Sequence, residues 1–320
     1  MTLNLPIIDI SALQSDDISQ WSDVIEAIDK ACRDTGFFYV TGHGIPKQQF
    51  SNVQAMANTF FSLPEFAKQK INIQHSSNHR GWGQVSAEKL DPNGPSDHKE
   101  TFDMALDLSP YHPQVARCSD LYGPNQYPNV DGFIQLMQQQ YQLSMEVALR
   151  ILKAMALALS LPIDFFSQYF SYPVSVLRLI HYPPQQGQQN GAGAHTDYGC
   201  ITLLYQDQIG GLQVQNRDGD WIDATPVEDS FVVNIGDLMQ RWTNDCYKST
   251  KHRVTSPSSQ TTRFSMPFFV EPNFDTPVST IASCVDKGEV SAYQEVTAGE
   301  WILSRFADTY EYRNEETQSK

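Results

Sequence analysis

The chain has 320 residues, 40% hydrophobic and 11% aromatic, so it can bury a substantial core and does not resemble a disordered protein. Its 22 basic and 37 acidic residues give a formal net charge of −15. This charge repels nucleic-acid phosphates and anionic lipid, so we expect neither a nucleic-acid nor a membrane partner. The five cysteines form no CxxC pair and the N-terminus lacks a signal-peptide pattern, which together predict a cytoplasmic protein.

Residues 1–120 are predicted to form an N-terminal region of helices and irregular loops on the substrate side of the protein. Residues 5–10 are typical of a short strand. An amphipathic helix follows, with Ser15 or Asp16 as its cap and Gly36 at its end. A buried strand, FFYVT, comes directly after that glycine.

Two further helices are predicted on either side of an irregular segment. Apolar residues recur at helical spacing over residues 47–63 and again over residues 131–160. Between them, residues 72–128 are rich in Gly, Pro, Asn and Ser. That composition predicts an irregular stretch lying on the surface.

From residue 173 onward, short apolar runs alternate with turn signals. This pattern predicts several short strands packed as a sandwich, barrel or jelly roll over about 173–275. Residues 121–320 would then hold a long support helix, this β core and a C-terminal helix near GEWILSRFADTY. The fold class expected is mainly β with flanking helices.

One short motif, GAHTDYGC, places His195 and Asp197 two residues apart ahead of an apolar run. In extended chain both side chains point to the same side. A third ligand is available from His252, at the start of another predicted strand. Two imidazoles and one carboxylate form the facial triad that binds non-haem Fe(II). Taken alone, an HxD pair at the start of a strand is more often a hydrogen-bonded surface turn than a metal site.

The strand RFSMPFF carries a candidate anion site. Arg263 and Ser265 share parity, so both side chains are expected to enter one cavity. A guanidinium beside a hydroxyl is suited to binding a carboxylate through charge-assisted hydrogen bonds. A surface salt bridge is less compatible with the apolar residues that flank the arginine.

A second arginine lies on the strand VLRLIHY, where Arg178 and Tyr182 share parity. If the tyrosine faces the cavity, the arginine does too. A buried arginine needs a partner, so Arg178 is a candidate anchor for a negatively charged substrate group. An internal pair with a carboxylate explains it equally well.

Nearly the whole chain resembles the isopenicillin-N-synthase-like family of Fe(II)/2-oxoglutarate-dependent oxygenases. The motifs that carry the resemblance occur in the family's order: LPIIDISAL, DTGFFYVTGHGIP, HRGWGQ, HKETFDM, GAHTDYGCITLLYQDQIGGLQV, VVNIGDLMQRWTNDCYKSTKHRV and RFSMPFF. The segment VEPNFD is similar to bacterial members. One departure is Ile180, which stands where many plant members carry a polar residue next to the co-substrate.

The resemblance implies a double-stranded β-helix core behind a helical N-terminal region. It also implies that His195, Asp197 and His252 bind Fe(II). Arg263 and Ser265 match the residues that bind the far carboxylate of 2-oxoglutarate, and Tyr182 matches a tyrosine that assists them. The implied reaction uses O₂ to oxidise a C–H bond of a small molecule, with hydroxylation as the default outcome and release of succinate and CO₂.

The residues expected to line the substrate space are Arg178, Arg80, Trp82 and Phe269. Basic and aromatic side chains together favour a small carboxylated or amino-acid-like substrate. The chain is expected to be a monomer or a weak homo-oligomer.

Three other activities remain open from the sequence. One is a family oxidase that does not use 2-oxoglutarate. The second is a zinc hydrolase, since two histidines and an aspartate can also hold Zn²⁺. The third is a non-catalytic binding or sensor module on the same scaffold.

Overall fold

The computed structural model describes residues 5–91, 94–184, 190–255, 261–285 and 290–309. Within these ranges two β-sheets pack face to face, and helices cover the outer face of the larger sheet. None of the helices in the described ranges combines the length and apolar character needed to cross a bilayer.

The strands and helices appear in an order that brings the N-terminal part of the chain into the main sheet. The strands are β1 (Ile7–Asp9), β2 (Phe37–Thr41), β3 (Gly81–Gly83), β4 (Glu100–Ala105), β5 (Val176–Tyr182), β6 (Asn190–His195), β7 (Ile201–Gln206), β8 (Leu212–Gln215), β9 (Trp221–Asp223), β10 (Phe231–Ile235), β11 (His252–Thr255), β12 (Arg263–Val270), β13 (Pro277–Val278) and β14 (Val296–Thr297). The α-helices are α1 (Ser22–Asp34), α2 (Lys47–Phe61), α3 (Glu65–Gln69), α4 (Pro113–Arg117), α5 (Phe133–Ala158), α6 (Asp237–Trp242) and α7 (Ala298–Thr309).

The larger sheet has eight strands in the order β1-β2-β10-β7-β12-β5-β4-β3. The smaller sheet has four, in the order β6-β11-β8-β9, and its pairings are antiparallel. An apolar cluster that includes Tyr182, Leu212 and Val254 joins the facing surfaces of the two sheets. This arrangement confirms the expected mainly β chain with a jelly-roll core.

Strand β12 shows how the alternation of side chains divides the protein into core and cavity. Phe264, Met266 and Phe268 belong to the apolar core beneath the helices. The alternate residues, beginning with Arg263 and Ser265, line a cavity on the opposite face of the sheet. The parity predicted for β12 is therefore confirmed, and β5 follows the same rule.

The long helix α5 lies against the outer face of the larger sheet. Its residues Val147, Ile151 and Met155 recur at helical spacing and are fully buried in the same core as β12. The sheet is thereby held between the helical layer and the cavity. The predicted support helix is confirmed, with bounds of Phe133–Ala158.

Two predictions for the N-terminal part were wrong. The segment 72–128 is not simply irregular and surface-lying, because β4 pairs with both β3 and β5 and is buried along its whole length. The first helix is capped by neither Ser15 nor Asp16. A 3₁₀ turn, Ile18–Trp21, precedes the helix instead, and the Asp17 carboxylate at the start of that turn accepts from the Ser19 amide.

Gly36, which follows the first helix, has a left-handed backbone and packs closely against Lys248. Its φ is +68°, and a Cβ at this position would lie 1.8 Å from the Lys248 carbonyl oxygen. Gly36→Ala is expected to lower the free energy of unfolding by about 2 kcal/mol, since it adds a backbone clash to left-handed strain. Urea denaturation measures this.

Gly219→Ala is the matched control. Gly219 also has positive φ, at +90°, but its nearest neighbouring atom would lie 4.0 Å from the added Cβ. It should lose only about 1 kcal/mol. Equal losses in the two variants would contradict the packing of Gly36 against residue 248.

Candidate active site

Three side chains from two strands and a following turn converge in the cavity. His195 is the last residue of β6, Asp197 lies in the turn after it, and His252 begins β11. The Asp197 Oδ1 atom lies 3.7 Å from His195 Nε2 and 3.6 Å from His252 Nε2. Within the described residues these side chains form a group able to hold a metal ion, with their ligand atoms within 4.8 Å of one another.

Hydrogen bonds hold each of these side chains by the atom that faces away from the centre. The Asp197 Oδ2 atom accepts from the Thr202 hydroxyl at 2.5 Å and from the Asn234 amide at 2.7 Å. The Nδ1 atom of His195 lies 2.7 Å from the Gly193 carbonyl, and that of His252 lies 3.3 Å from the Thr250 carbonyl. Such outer contacts leave Oδ1 and both Nε2 atoms aimed at a common point.

The protonation states of this group suit a cation. Burial lowers the pKa of His195 to about 3, and the neighbouring His252 acts in the same direction. Burial alone would raise the pKa of Asp197, but the two imidazoles and the hydrogen bonds from Thr202 and Asn234 lower it overall. A neutral imidazole beside an ionised carboxylate is the form that binds a metal. The residues present therefore fit a divalent ion with open positions.

Arg263 enters the same cavity from β12 and is only 1% exposed. Its guanidinium donates to the Gly210 carbonyl at 2.7 Å, to the Ser265 hydroxyl at 3.2 Å and to Gln206 Oε1 at 3.3 Å. It also lies 4.7 Å from the centre of the Tyr182 ring. We call Arg263, Ser265 and Tyr182 the anion clamp.

No carboxylate among the described residues forms an ion pair with Arg263, and all of its partners are neutral. A buried guanidinium without a counter-charge costs free energy. An anion that enters the cavity removes that cost through charge-assisted hydrogen bonds.

Arg178 also lines the cavity, but it is already paired. Its guanidinium forms a two-point contact with Asp103, at 2.6 and 2.7 Å, and lies 3.0 Å from Glu88 Oε1. Lys99 Nζ lies 3.0 Å from both Glu88 and Asp97. These five residues form a buried charge network, of which Lys99, Asp103 and Arg178 line the cavity.

The remaining predicted substrate residues divide between the cavity and the layer behind it. Phe269 lines the cavity, with the Arg178 guanidinium 5.7 Å from the centre of its ring. Arg80 is buried and donates to the carbonyls of His79 and Leu121. Trp82 is buried and donates to Glu100. Neither Arg80 nor Trp82 is among the described residues of the cavity lining.

Several polar residues of the site were not predicted from the sequence. Asn234 lies inside the apolar strand β10 and Thr202 inside β7, and both orient Asp197. A lone amide within a run of apolar residues was an available signal for Asn234. Glu271 continues the parity of Arg263 and Ser265 past the end of β12, and it also lines the cavity.

The cavity has an empty volume, counted out to its mouth, of about 1050 Å³. A metal-binding triad, a buried cation without a carboxylate partner and a jelly-roll scaffold together define a non-haem metal oxygenase. Comparisons with known proteins identify the family to which the chain belongs.

The chain matches the model of the N-terminal region of the non-haem dioxygenases in morphine synthesis over residues 5–130, and that of the 2OG-Fe(II) oxygenase superfamily over residues 173–272. It is 33% identical over 315 residues to the 2-oxoglutarate-Fe(II) type oxidoreductase hxnY of Emericella nidulans, covering 95% of this chain and 90% of the relative. The chain belongs to the 2OG-Fe(II) oxygenase superfamily, as the motifs predicted.

Two further likenesses are informative. The chain is 36% identical to homoarginine-6-hydroxylase 2-ODD-233 of Oryza sativa subsp. japonica, over 94% of its own length and 96% of that protein's. It superposes on a full-length Neurospora crassa protein solved in complex with α-KG with a TM-score of 0.84 at 30% identity, covering 95% and 96% of the two chains. The protein is a 2-oxoglutarate-dependent dioxygenase with Fe(II) as its metal. The family assignment decides against the hydrolase and sensor alternatives, and the likeness to a 2-oxoglutarate-Fe(II) oxidoreductase and to a structure holding α-KG decides against the oxidase.

The outer hydrogen bonds to Asp197 can be tested directly. Thr202→Val removes the hydroxyl that holds Oδ2 and keeps the shape of the side chain. We expect Fe(II) affinity to fall by about 10- to 100-fold, because the carboxylate loses its fixed orientation. Anaerobic Fe(II) titration measures the change.

Thr243→Val is the control for this substitution. Its hydroxyl is also buried but donates to the Met239 carbonyl at the end of α6. Fe(II) affinity in this variant should match the unmodified enzyme. Wild-type affinity in Thr202→Val would show that the hydroxyl has no part in orienting the ligand.

Proposed function

We propose that the enzyme hydroxylates an aliphatic C–H bond of a small amino-acid-like molecule, with His195, Asp197 and His252 as the iron ligands. The observation that carries this proposal is the position of Arg263, a buried cation without a described carboxylate partner in the cavity of the triad. The second carboxylate of 2-oxoglutarate supplies the missing charge.

The residues of the chain divide the work between binding and positioning. Arg263 and Ser265 bind the far carboxylate of 2-oxoglutarate, and the Tyr182 ring supports the guanidinium from one side. Thr202 and Asn234 hold Asp197 in a single orientation. When bound, Fe(II) supplies the redox centre at which O₂ and 2-oxoglutarate react to give succinate and CO₂.

The substrate is placed on the other side of the triad, against Arg178 and Phe269. Both line the cavity, and the arginine is fixed by its two-point contact with Asp103. A fixed wall of this kind restrains the substrate so that one C–H bond faces the metal. An amino-acid-like substrate agrees with the names of the homoarginine-6-hydroxylases to which the chain is similar.

A pyrimidine base is the second candidate substrate. The chain also superposes on the full-length Neurospora crassa protein in complex with α-KG and thymine, with a TM-score of 0.83 at 29% identity. The aromatic face of Phe269 in the cavity offers a stacking surface for a planar ring. Product formation with thymine compared against basic amino acids distinguishes the two classes.

The broader expectations from the sequence stand as part of this proposal. We place the protein in the cytoplasm, where the free cysteines found in the described chain stay reduced. We also propose a monomer or weak homo-oligomer with no nucleic-acid partner. The division into residues 1–120 and 121–320 describes the sequence, although strands from both parts share one sheet.

Succinate release tests the assignment of the metal ligands. The wild-type enzyme with Fe(II), 2-oxoglutarate and O₂ should form succinate, and His252→Ala should reduce the rate to background because one of three ligands is lost. Chromatographic quantification of succinate measures both rates. Turnover of 2-oxoglutarate by His252→Ala at the wild-type rate would overturn the assignment.

The anion clamp predicts a separate defect. Arg263→Leu should weaken 2-oxoglutarate binding by about 100-fold, because the far carboxylate is buried without its partner. Arg263→Lys should recover part of this affinity, since it keeps the charge and loses the fork. Titration calorimetry of the anaerobic enzyme measures both constants.

Arg253→Leu serves as the control for the clamp. Arg253 lies on β11 and stacks on Trp221 outside the described cavity lining. Its removal should leave the 2-oxoglutarate dissociation constant unchanged. If Arg263→Leu binds 2-oxoglutarate as tightly as this control does, other residues bind the far carboxylate.

A further inference from the structure

Strand β12 is followed immediately by a carboxylate that faces the cavity. The parity of Arg263 and Ser265 continues through Phe269 to Glu271, and all four residues line the same space. Six residues of extended chain separate Ser265 from Glu271, which corresponds to about 20 Å. The anion clamp and this carboxylate therefore mark opposite ends of the cavity.

The backbone of Glu271 is held without any help from its side chain. The Ser175 hydroxyl donates to the Glu271 carbonyl and accepts from the Glu271 amide, both at 2.8 Å. Gly199 supplies the space for the side chain, because a Cβ there would lie 2.7 Å from the Glu271 Cγ atom. The carboxylate is thereby fixed beside the turn that carries Asp197.

The Glu271 carboxylate has no close partner within the described part of the chain. The residue is 5% exposed, its side chain lines the cavity, and the hydrogen bonds of Glu271 are those of its backbone. Burial raises the pKa of Glu271 to about 8, and the Asp197 carboxylate acts in the same direction, against Arg80 and Arg178. The fold therefore buries, at a cost in free energy, a carboxyl that has no hydrogen-bond donor or ion-pair partner at contact distance among the described residues.

The cations nearest to Glu271 are already engaged elsewhere. The Arg178 guanidinium is bound by Asp103 and Glu88, and the Arg80 guanidinium donates to the carbonyls of His79 and Leu121. Both act on Glu271 only from a distance. At the clamp end the situation is reversed, because the Arg263 guanidinium has no carboxylate partner among the described residues.

We propose that Glu271 is the specificity residue that binds a cationic nitrogen group of the substrate, an ammonium or a guanidinium. This inference rests on the proposed hydroxylase function and names its substrate class. The cation donates hydrogen bonds to the otherwise unpaired carboxylate, and the buried pair is then neutral overall. The opposed charges at the two ends keep 2-oxoglutarate and the substrate from exchanging places.

The response to matched ligands tests the proposal. L-homoarginine, L-arginine and L-lysine are compared with the neutral L-citrulline and L-norleucine and with thymine, by the succinate and hydroxylated product that each elicits. The wild-type enzyme should respond to one or more of the cations and not to their neutral counterparts. Glu271→Gln should raise the KM of the responsive cation by about 10- to 100-fold while the KM for 2-oxoglutarate stays within about twofold.

Two further variants separate recognition from folding. Glu271→Asp keeps the charge and should retain the preference for the cation over its neutral counterpart. Glu228→Gln removes an exposed carboxylate that pairs with Lys47 and should leave every kinetic constant unchanged. The Tm of Glu271→Gln should equal or exceed that of the wild type, because no described side-chain hydrogen bond is lost.

Two kinds of result would overturn the inference about Glu271. A lower Tm for Glu271→Gln with an unchanged KM would show a structural carboxylate and overturn the inference. A response to thymine or to neutral amino acids alone, or to none of the cations, would also overturn it. In all of these cases the proposed function still stands if the wild-type enzyme releases succinate with Fe(II) and His252→Ala does not. If the wild-type enzyme releases no succinate, the proposed function itself is wrong.

Discussion

The two-residue alternation of strand β12 is the constraint on which the rest of the structure depends. It sends Phe264, Met266 and Phe268 into the helix-covered core and leaves the polar residues facing the cavity. A one-residue slip in register would bury the polar row in the core, so the apolar packing fixes the active site as firmly as it fixes the fold. Core stability and catalytic geometry therefore have a common physical origin.

Buried charge is the second organising feature of the molecule. The clamp and the Lys99–Arg178 network are buried and the triad is largely so, and the charges of each are matched in a different way. The charges of the network are paired with one another, whereas the clamp and the triad present groups without such partners to the cavity. Buried charged groups that lack a partner within the protein indicate where a ligand of opposite charge binds.

The fold and metal centre were largely predictable from the sequence because they depend on local patterns. Helical spacing identified α5, strand parity identified the faces of β5 and β12, and ordered motifs identified the triad. Long-range pairing was not predictable in the same way. The burial of β4 depends on β5, more than seventy residues later, and Arg80 acquired partners that leave it outside the described cavity lining. The pairing of Arg178 with Asp103 had the same origin.

We propose that the triad and the anion clamp hold Fe(II) and 2-oxoglutarate in one shared site. Anaerobic visible spectroscopy tests this most directly, since 2-oxoglutarate that chelates Fe(II) produces a charge-transfer absorption band. We expect this band when 2-oxoglutarate is added to the wild-type Fe(II) enzyme, and no band in Asp197→Ala at the same concentrations. A wild-type spectrum unchanged by 2-oxoglutarate, or an equal band in Asp197→Ala, would contradict the claim.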